Sequence, residues 1–196
     1  ISGEYLDDVD QLIFSDPRIT AVRKLDSAGQ PVPSKYVVKI GADCPAGLYE
    51  ARVMTRLGIS SSRAFSVGTL TEVVQMKANT SLVTAMELPL NSICNAAMTA
   101  RAVDHYVFEA RKGQRVIVDC ATRGIDSKLD AVVIIADAAG RDLLVERRGG
   151  ALDYKVPSDG RYVIKVHEMT FKGGPAYYYR LSVWESPVDA PLVRMP

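Results

Sequence analysis

Only two histidines occur in the chain, His105 and His167, and a hydrolytic triad would have to be built on one of them. Such a triad also needs a buried carboxylate and a poised serine. No G-x-S-x-G is present, and the serine-rich run Gly58-Ile59-Ser60-Ser61-Ser62 reads as a polar strand start. Both histidines fall at outward positions of alternating segments. Asp104, the carboxylate beside His105, points to the opposite face of a strand. The two imidazoles therefore read as surface residues on a sheet.

Carboxylates offer a second chemistry. Asp126, Asp130, Asp153 and Asp159 sit at predicted strand ends or turns, where oxygen ligands could converge on calcium. The same placements suit turn-capping, in which the side chain accepts backbone amides. Asp130 immediately precedes residues 131–136, which are apolar at nearly every position. A carboxylate there is costly unless several amides hold it, so Asp130 is expected to fasten a neighbouring loop.

Cys44, Cys94 and Cys120 lack C-x-x-C spacing and neighbouring histidines, which argues against zinc. Cys94 and Cys120 are the natural disulfide pair in an oxidising compartment, and three buried thiols are the alternative. In residues 177–184 one face carries Tyr177, Tyr179, Leu181 and Val183, apolar enough for a core. The other carries Tyr178, Arg180, Ser182 and Trp184. Tyr178, Arg180 and Trp184 form a candidate ligand patch of residue types enriched in interfaces, which Val163, Lys165 and His167 could extend. Packing against another domain would use the same residues.

Positioning these groups is the work of strands. The dominant period is two, and no stretch sustains an amphipathic helix for three turns. Strands are predicted at residues 11–14, 19–25, 35–40, 48–55 and 63–67, then at 105–110, 115–120, 131–136, 142–146, 152–156, 161–167 and 177–184. Turn chemistry such as Ser27-Ala28-Gly29 and Asp137-Ala138-Ala139-Gly140 separates them. The pattern predicts an all-β chain of two antiparallel sandwiches, residues 1–74 and 75–187, with a linker or tail over 188–196. Residues 68–73 are expected to close the first sandwich. Asn79-x-Ser81 matches the glycosylation sequon, a pattern common by chance.

Composition narrows the function classes. With 24 Lys+Arg against 23 Asp+Glu, the net charge is +1, without the basic excess of a nucleic-acid binder. At 47% hydrophobic and 24% charged the 196 residues are ordinary globular material, with no apolar run long enough to span a bilayer. The start at Ile1 and the proline-bearing end at Pro196 read as a piece of a longer protein.

The run Asp104-His105-Tyr106-Val107-Phe108-Glu109-Ala110-Arg111-Lys112-Gly113-Gln114, followed by Asp126-Ser127-Lys128-Leu129-Asp130, resembles the bacterial pre-peptidase C-terminal domain family. So do Ala139-Gly140-Arg141, Pro157-Ser158-Asp159-Gly160-Arg161-Tyr162 and Tyr179-Arg180-Leu181. The resemblance covers about residues 80–186. It implies a small jelly-roll appended to exported proteins, common in planctomycete-type bacteria. The first part, from Ile1-Ser2-Gly3-Glu4-Tyr5-Leu6 to Ala64-Phe65-Ser66-Val67-Gly68, more weakly resembles a TIG-type immunoglobulin-like domain; such domains carry another strand before the Gly3 position, so either that strand is cut away or the fold is incomplete.

Some members of the jelly-roll family bind calcium through acidic pairs in a loop that here reads Glu146-Arg147-Arg148-Gly149-Gly150, and two guanidinium groups would repel the ion. The resemblance implies a non-catalytic adhesion or targeting segment of an exported protein, periplasmic, cell-surface or extracellular. Its partners would be the rest of its polypeptide and an extracellular polysaccharide or protein. A calcium-dependent binding module on a secreted hydrolase is the alternative.

Overall fold

A computed structural model describes residues 9–192, which divide between Gly68 and Thr69 into two compact units. The opening Ile1-Ser2-Gly3-Glu4-Tyr5-Leu6 and the last part of the 188–196 tail lie outside the described residues. The chain is all-β, as the period-two pattern predicts.

The first unit contains β1 (Val9–Phe14), β2 (Ile19–Leu25), β3 (Pro31–Ile40), β4 (Gly47–Thr55), β5 (Gly58–Ile59) and β6 (Arg63–Val67). β4 is the hub of a four-stranded sheet and pairs antiparallel with β1, β5 and β6. β2 and β3 pair with each other alone, as a separate hairpin. Asp26 closes that hairpin by accepting the amides of Ala28 (2.8 Å) and Gln30 (2.9 Å), while Gly29 takes a positive φ of 77°. The core is thin. Val9, Ile19, Val53 and Val67 are its buried apolar residues, and Phe14 meets Phe65 edge-on at 4.9 Å.

The second unit begins with β7 (Thr71–Val74) and β8 (Met86–Glu87), followed by β9 (Ser92–Ala97), β10 (Asp104–Ala110) and β11 (Arg115–Ala121). A 3-10 turn at Arg123–Ile125 precedes β12 (Ala131–Asp137). The unit ends with β13 (Asp142–Glu146), β14 (Leu152–Lys155), β15 (Gly160–Glu168) and β16 (Tyr178–Ser186). Two five-stranded sheets result, ordered β13-β12-β15-β10-β8 and β14-β11-β16-β9-β7.

Two findings correct the sequence reading. β7 pairs in parallel with β9, and Val73 packs on the second core, so residues 71–74 open the second unit instead of closing the first. The boundary accordingly lies at 68/69 and not at 74/75. The sheets are also mixed, since β8 runs parallel to β10.

Inward-facing residues of both sheets fill the interior: Tyr106, Phe108, Val116, Val118, Ile135, Ile164, Leu181 and Val183 are all buried. Phe108 stacks on Tyr162 at 5.8 Å, and the Tyr162 hydroxyl donates to the Ser158 carbonyl at 2.8 Å. Asp137 repeats the chemistry of Asp26, accepting the amides of Ala139 and Arg141 around Gly140 at φ 84°.

The connections sort by end. Glu146, Val133, Val166 and Asp104 align across the first sheet. Beyond that row, the loops β9–β10, β11–β12, β13–β14 and β15–β16 all cross between the sheets. At the other end Thr71, Ser92 and Val183 align, so β7 starts beside the finish of β16.

Removing one ring tests this core. Phe108→Ala should destabilise the second unit by about 3–5 kcal/mol. Urea denaturation followed by Trp184 fluorescence reads that unit specifically, since Trp184 is the chain's single tryptophan. An unchanged midpoint would mean that Phe108 is not enclosed.

Candidate functional site

The most concentrated polar chemistry lies inside the second sandwich. Asp104, only 2% exposed, accepts a 2.6 Å hydrogen bond from the Tyr179 hydroxyl, whose oxygen is 2.6 Å from that of Tyr106. The Cys94 thiol lies 3.8 Å from the Tyr106 oxygen. Asp104 and Tyr106 project from β10, and Tyr179 and Cys94 from β16 and β9, so the chain of groups crosses from one sheet to the other. The Gln75 amide also bonds Asp104. Burial pushes the Asp104 carboxyl above its ordinary range, against the lowering effect of the Tyr179 and Gln75 bonds. Burial likewise raises the Tyr106 and Tyr179 hydroxyls. All three are enclosed and bonded to one another. This cluster is a fastening.

The histidines lie outside it. His105 Nδ1 is 2.8 Å from the Val103 carbonyl oxygen, and His167 Nδ1 is 2.9 Å from that of Glu168. Among the described residues neither imidazole is hydrogen-bonded to a serine or a carboxylate. Asn79 of the sequon is 1% exposed, and its Nδ2 donates to the His105 carbonyl at 2.9 Å, so the amide is enclosed in the folded chain.

The four calcium candidates do separate work. Asp153 takes a two-pronged bond from Arg115, at 2.9 and 2.7 Å. Asp159 accepts the Lys112 amide at 2.7 Å, and Asp126 ends the 3-10 turn in left-handed conformation at φ 65°. Asp130 departs from expectation. Its side chain is half exposed and pairs with the Arg123 guanidinium, while its backbone carbonyl receives the Met169 amide at 2.9 Å. No cluster of three or more His, Cys, Asp or Glu able to hold a metal occurs among the described residues.

The loop-fastening role falls to Glu168. Its Oε2 accepts the Thr170 amide, the Thr170 hydroxyl and the Lys172 amide at 2.6, 2.8 and 2.9 Å. Burial would raise this carboxyl, but the bonds from Lys172 and Thr170 outweigh it and hold it below its usual range. A Glu two residues before a threonine was the available signal, and the sequence reading missed it.

The proposed ligand patch is enclosed as well. Arg180 is 5% and Trp184 6% exposed, and Ser182 between them is also buried. Arg180 donates to Glu72 at 2.7 Å and to Asn95 at 3.2 Å, and the half-buried Tyr178 hydroxyl donates to the Ile125 carbonyl at 2.7 Å. Val163, Lys165 and His167 do not extend the patch, because β15 belongs to the opposite sheet.

The disulfide is corrected too. Cys94 and Cys120 both pair with Leu181, one from each side of β16, so a whole strand separates them. Two strand spacings are about 9.5 Å, beyond the roughly 4.4–6.8 Å that a bond requires. None of the three cysteines is in a disulfide.

What the surface offers lies at the two ends. At the β7-start end a groove of about 560 Å³ is lined by Leu90, Glu109, Arg111, Gln114, Asp159 and Arg161. Its polar groups are largely engaged: Gln114 accepts the Arg111 amide at 2.6 Å, and Arg161 pairs with Glu87. At the crossover-loop end, by contrast, Arg101, Lys128, Arg147, Arg148 and Lys172 are exposed, and none forms an ion pair among the described residues. Phe171, 44% exposed, lies parallel to His167 with ring centroids 4.7 Å apart.

No family model matches the chain, and no curated protein sequence matches it. Among solved structures it is similar to the pre-peptidase C-terminal domain of a Bacillus anthracis collagenase, with 14% identity over 50% of this chain and 93% of that one, at a TM-score of 0.42. A periplasmic inhibitor of g-type lysozyme from Aeromonas hydrophila is similar at 15% identity over 59% of this chain and all of that one, with a TM-score of 0.42. The Salmonella Typhimurium inhibitor reaches 16% identity and 0.35.

Two measurements check this geometry. A raised Asp104 pKa contributes stability that is complete below the ordinary carboxylate range and lost as pH rises through the raised value. Asp104→Asn cannot ionise, so its stability relative to the parent should improve from about pH 4 to about pH 7; a difference independent of pH would contradict this. Separately, unreduced protein alkylated in denaturant should gain three labels, Cys44 alone reacting appreciably in the folded state. A protected pair at positions 94 and 120 would restore the disulfide.

Proposed function

We propose that the chain is a non-catalytic binding segment of a larger exported bacterial protein. One observation carries the reading. The clustered polar side chains of the second unit are spent on fastening strands and loops, and its exposed cations without ion pairs are most numerous at the crossover-loop end. Enzymes place perturbed titratable groups in a cleft open to substrate. Here Asp104, whose carboxyl burial pushes above its ordinary range, is sealed between two sheets. Export is part of the proposal and rests on the resemblance of residues 80–186 alone, since cysteines outside disulfides report no oxidising compartment. The calcium-dependent alternative draws no support from four aspartates bonded apart from one another.

The test pairs retention with turnover. The purified chain is passed over immobilised neutral and acidic polysaccharides, and the eluted polymers are sized. Retention on at least one polymer without shortening is expected. Shortening abolished by His105→Ala or His167→Ala would replace this reading with an enzymatic one.

A further inference from the structure

We propose that the crossover-loop end of the second unit binds a carboxylated polysaccharide, a uronate-bearing chain, through Arg101, Lys128, Arg147, Arg148 and Lys172 around the face of Phe171. The proposal rests on the binding reading above and assigns its surface and ligand class.

Charge segregation is the first ground. Cations at the opposite end and along the strands stand among carboxylates: Arg161 pairs with Glu87, Arg115 with Asp153 at 2.7 Å, Arg141 with Asp137 at 2.8 Å and Lys165 with Asp142 at 2.7 Å, while Arg111 and Lys112, without ion pairs among the described residues, lie beside Glu109 and Asp159. At the crossover end Arg123 is matched by Asp130, and Asp126 is the other exposed aspartate of these loops. Of the remaining carboxylates there, Asp104 points inward to Tyr179 and Glu168 to its own loop, and Glu146 accepts the Arg148 amide beside that residue's guanidinium. Five exposed cations without ion pairs among the described residues thus outnumber the outward carboxylates Asp126 and Glu146 at this end, on a chain whose net charge is +1. Guanidinium groups bind carboxylates in two-pronged fashion, and three of the five are arginines.

Preorganisation is the second ground. The Arg101 amide donates to the Phe171 carbonyl at 2.9 Å, Met169 to Asp130 at 2.9 Å, Lys128 to Ala176 at 2.9 Å and Gly174 to Met98 at 2.9 Å. These bonds stitch the β9–β10, β11–β12 and β15–β16 loops into one platform. A Cβ at Gly173 would overlap the backbone of Thr99 and Ala100, so the close approach requires glycine. Fixed loops bind without an ordering cost.

The third ground selects a saccharide. Phe171 rests flat on His167, with 3° between the rings, and offers a broad apolar face instead of a protruding wedge. A pyranose ring can cover that face while its carboxylate reaches a neighbouring cation. A bilayer would favour inserted wedges, and duplex nucleic acid a basic stripe along an element.

Binding of the intact chain to polygalacturonate is measured in EDTA, with dextran, single-stranded DNA and anionic phosphatidylserine vesicles in parallel. Polygalacturonate should bind, weaken with salt, and outcompete the other three. The combined Arg101→Gln, Arg147→Gln, Arg148→Gln variant should lose about tenfold or more in affinity, and Phe171→Asn, which tolerates φ 59°, about threefold or more. Arg111→Gln with Lys112→Gln, at the opposite end, should change nothing. On the unaltered chain, polygalacturonate should shield Arg147 and Arg148 from phenylglyoxal. Equal or tighter binding of DNA or vesicles, absent shielding, or equal loss in the opposite-end variant would overturn the assignment. Retention of another glycan, insensitive to the loop variants, would overturn it while leaving the binding reading intact.

Discussion

A carboxylate enclosed between two sheets constrains the second unit more than any other feature. Asp104 has no water to solvate it, so its neighbours must supply the donors. Tyr179 reaches it from the facing sheet, Tyr106 extends the bond chain, and Gln75 approaches from the segment that follows β7. One unmet lone pair thereby sets three things at once: the register of β10 against its sheet, the spacing to β16, and the path of the chain after β7. Asn79 continues the same fastening by bonding the backbone of His105 in both directions. Among the described residues the first unit has no such buried carboxylate; a few buried valines and an isoleucine, with the Arg23 guanidinium donating to the Val9 carbonyl, join its two sheets.

Around that fixed interior the two ends divide the labour. Turns at the β7-start end are tightened by local ion pairs and amide caps. Three loops at the other end are held by backbone bonds to one another and by the inward carboxylate of Glu168, and the β13–β14 loop is capped by Glu146, leaving their long cationic side chains without ion pairs among the described residues. The difference is one of which groups do the holding. Where backbone and a buried acid suffice, side chains at the surface remain free for a partner.

Local pattern made most of the fold legible. Ile19–Leu25, Arg63–Val67 and Asp142–Glu146 coincide with their predicted ranges, because alternation and flanking turn residues are properties of neighbours in sequence. The inward sides of Tyr106, Phe108, Val118 and Leu181 follow from the same parity. Partnership across the sheets was not legible. Cys94 and Cys120 face one core, yet nothing local to either says that β16 runs between them. Val73 suits either sandwich, and only its pairing with Cys94 decides. Arg180 and Trp184 have the composition of an interface, but burial depends on the rest of the chain. Arg147 and Arg148 were informative in the opposite sense: residues that disfavour a cation are the ones that suit an anion.

The shared location of the first and last strand edges has a mechanical meaning. Because Thr71 and Val183 lie level in one sheet with only β9 between them, the polypeptide path enters and leaves the second unit at the same side, about 10 Å apart. Arg115 ties down the departing backbone at the carbonyls of Pro187 and Ala190. Tension applied along that path would run through a corner of one sheet and bypass most of the sandwich. The unit hangs from its backbone as a pendant, with its crossover loops turned away from the line of pull.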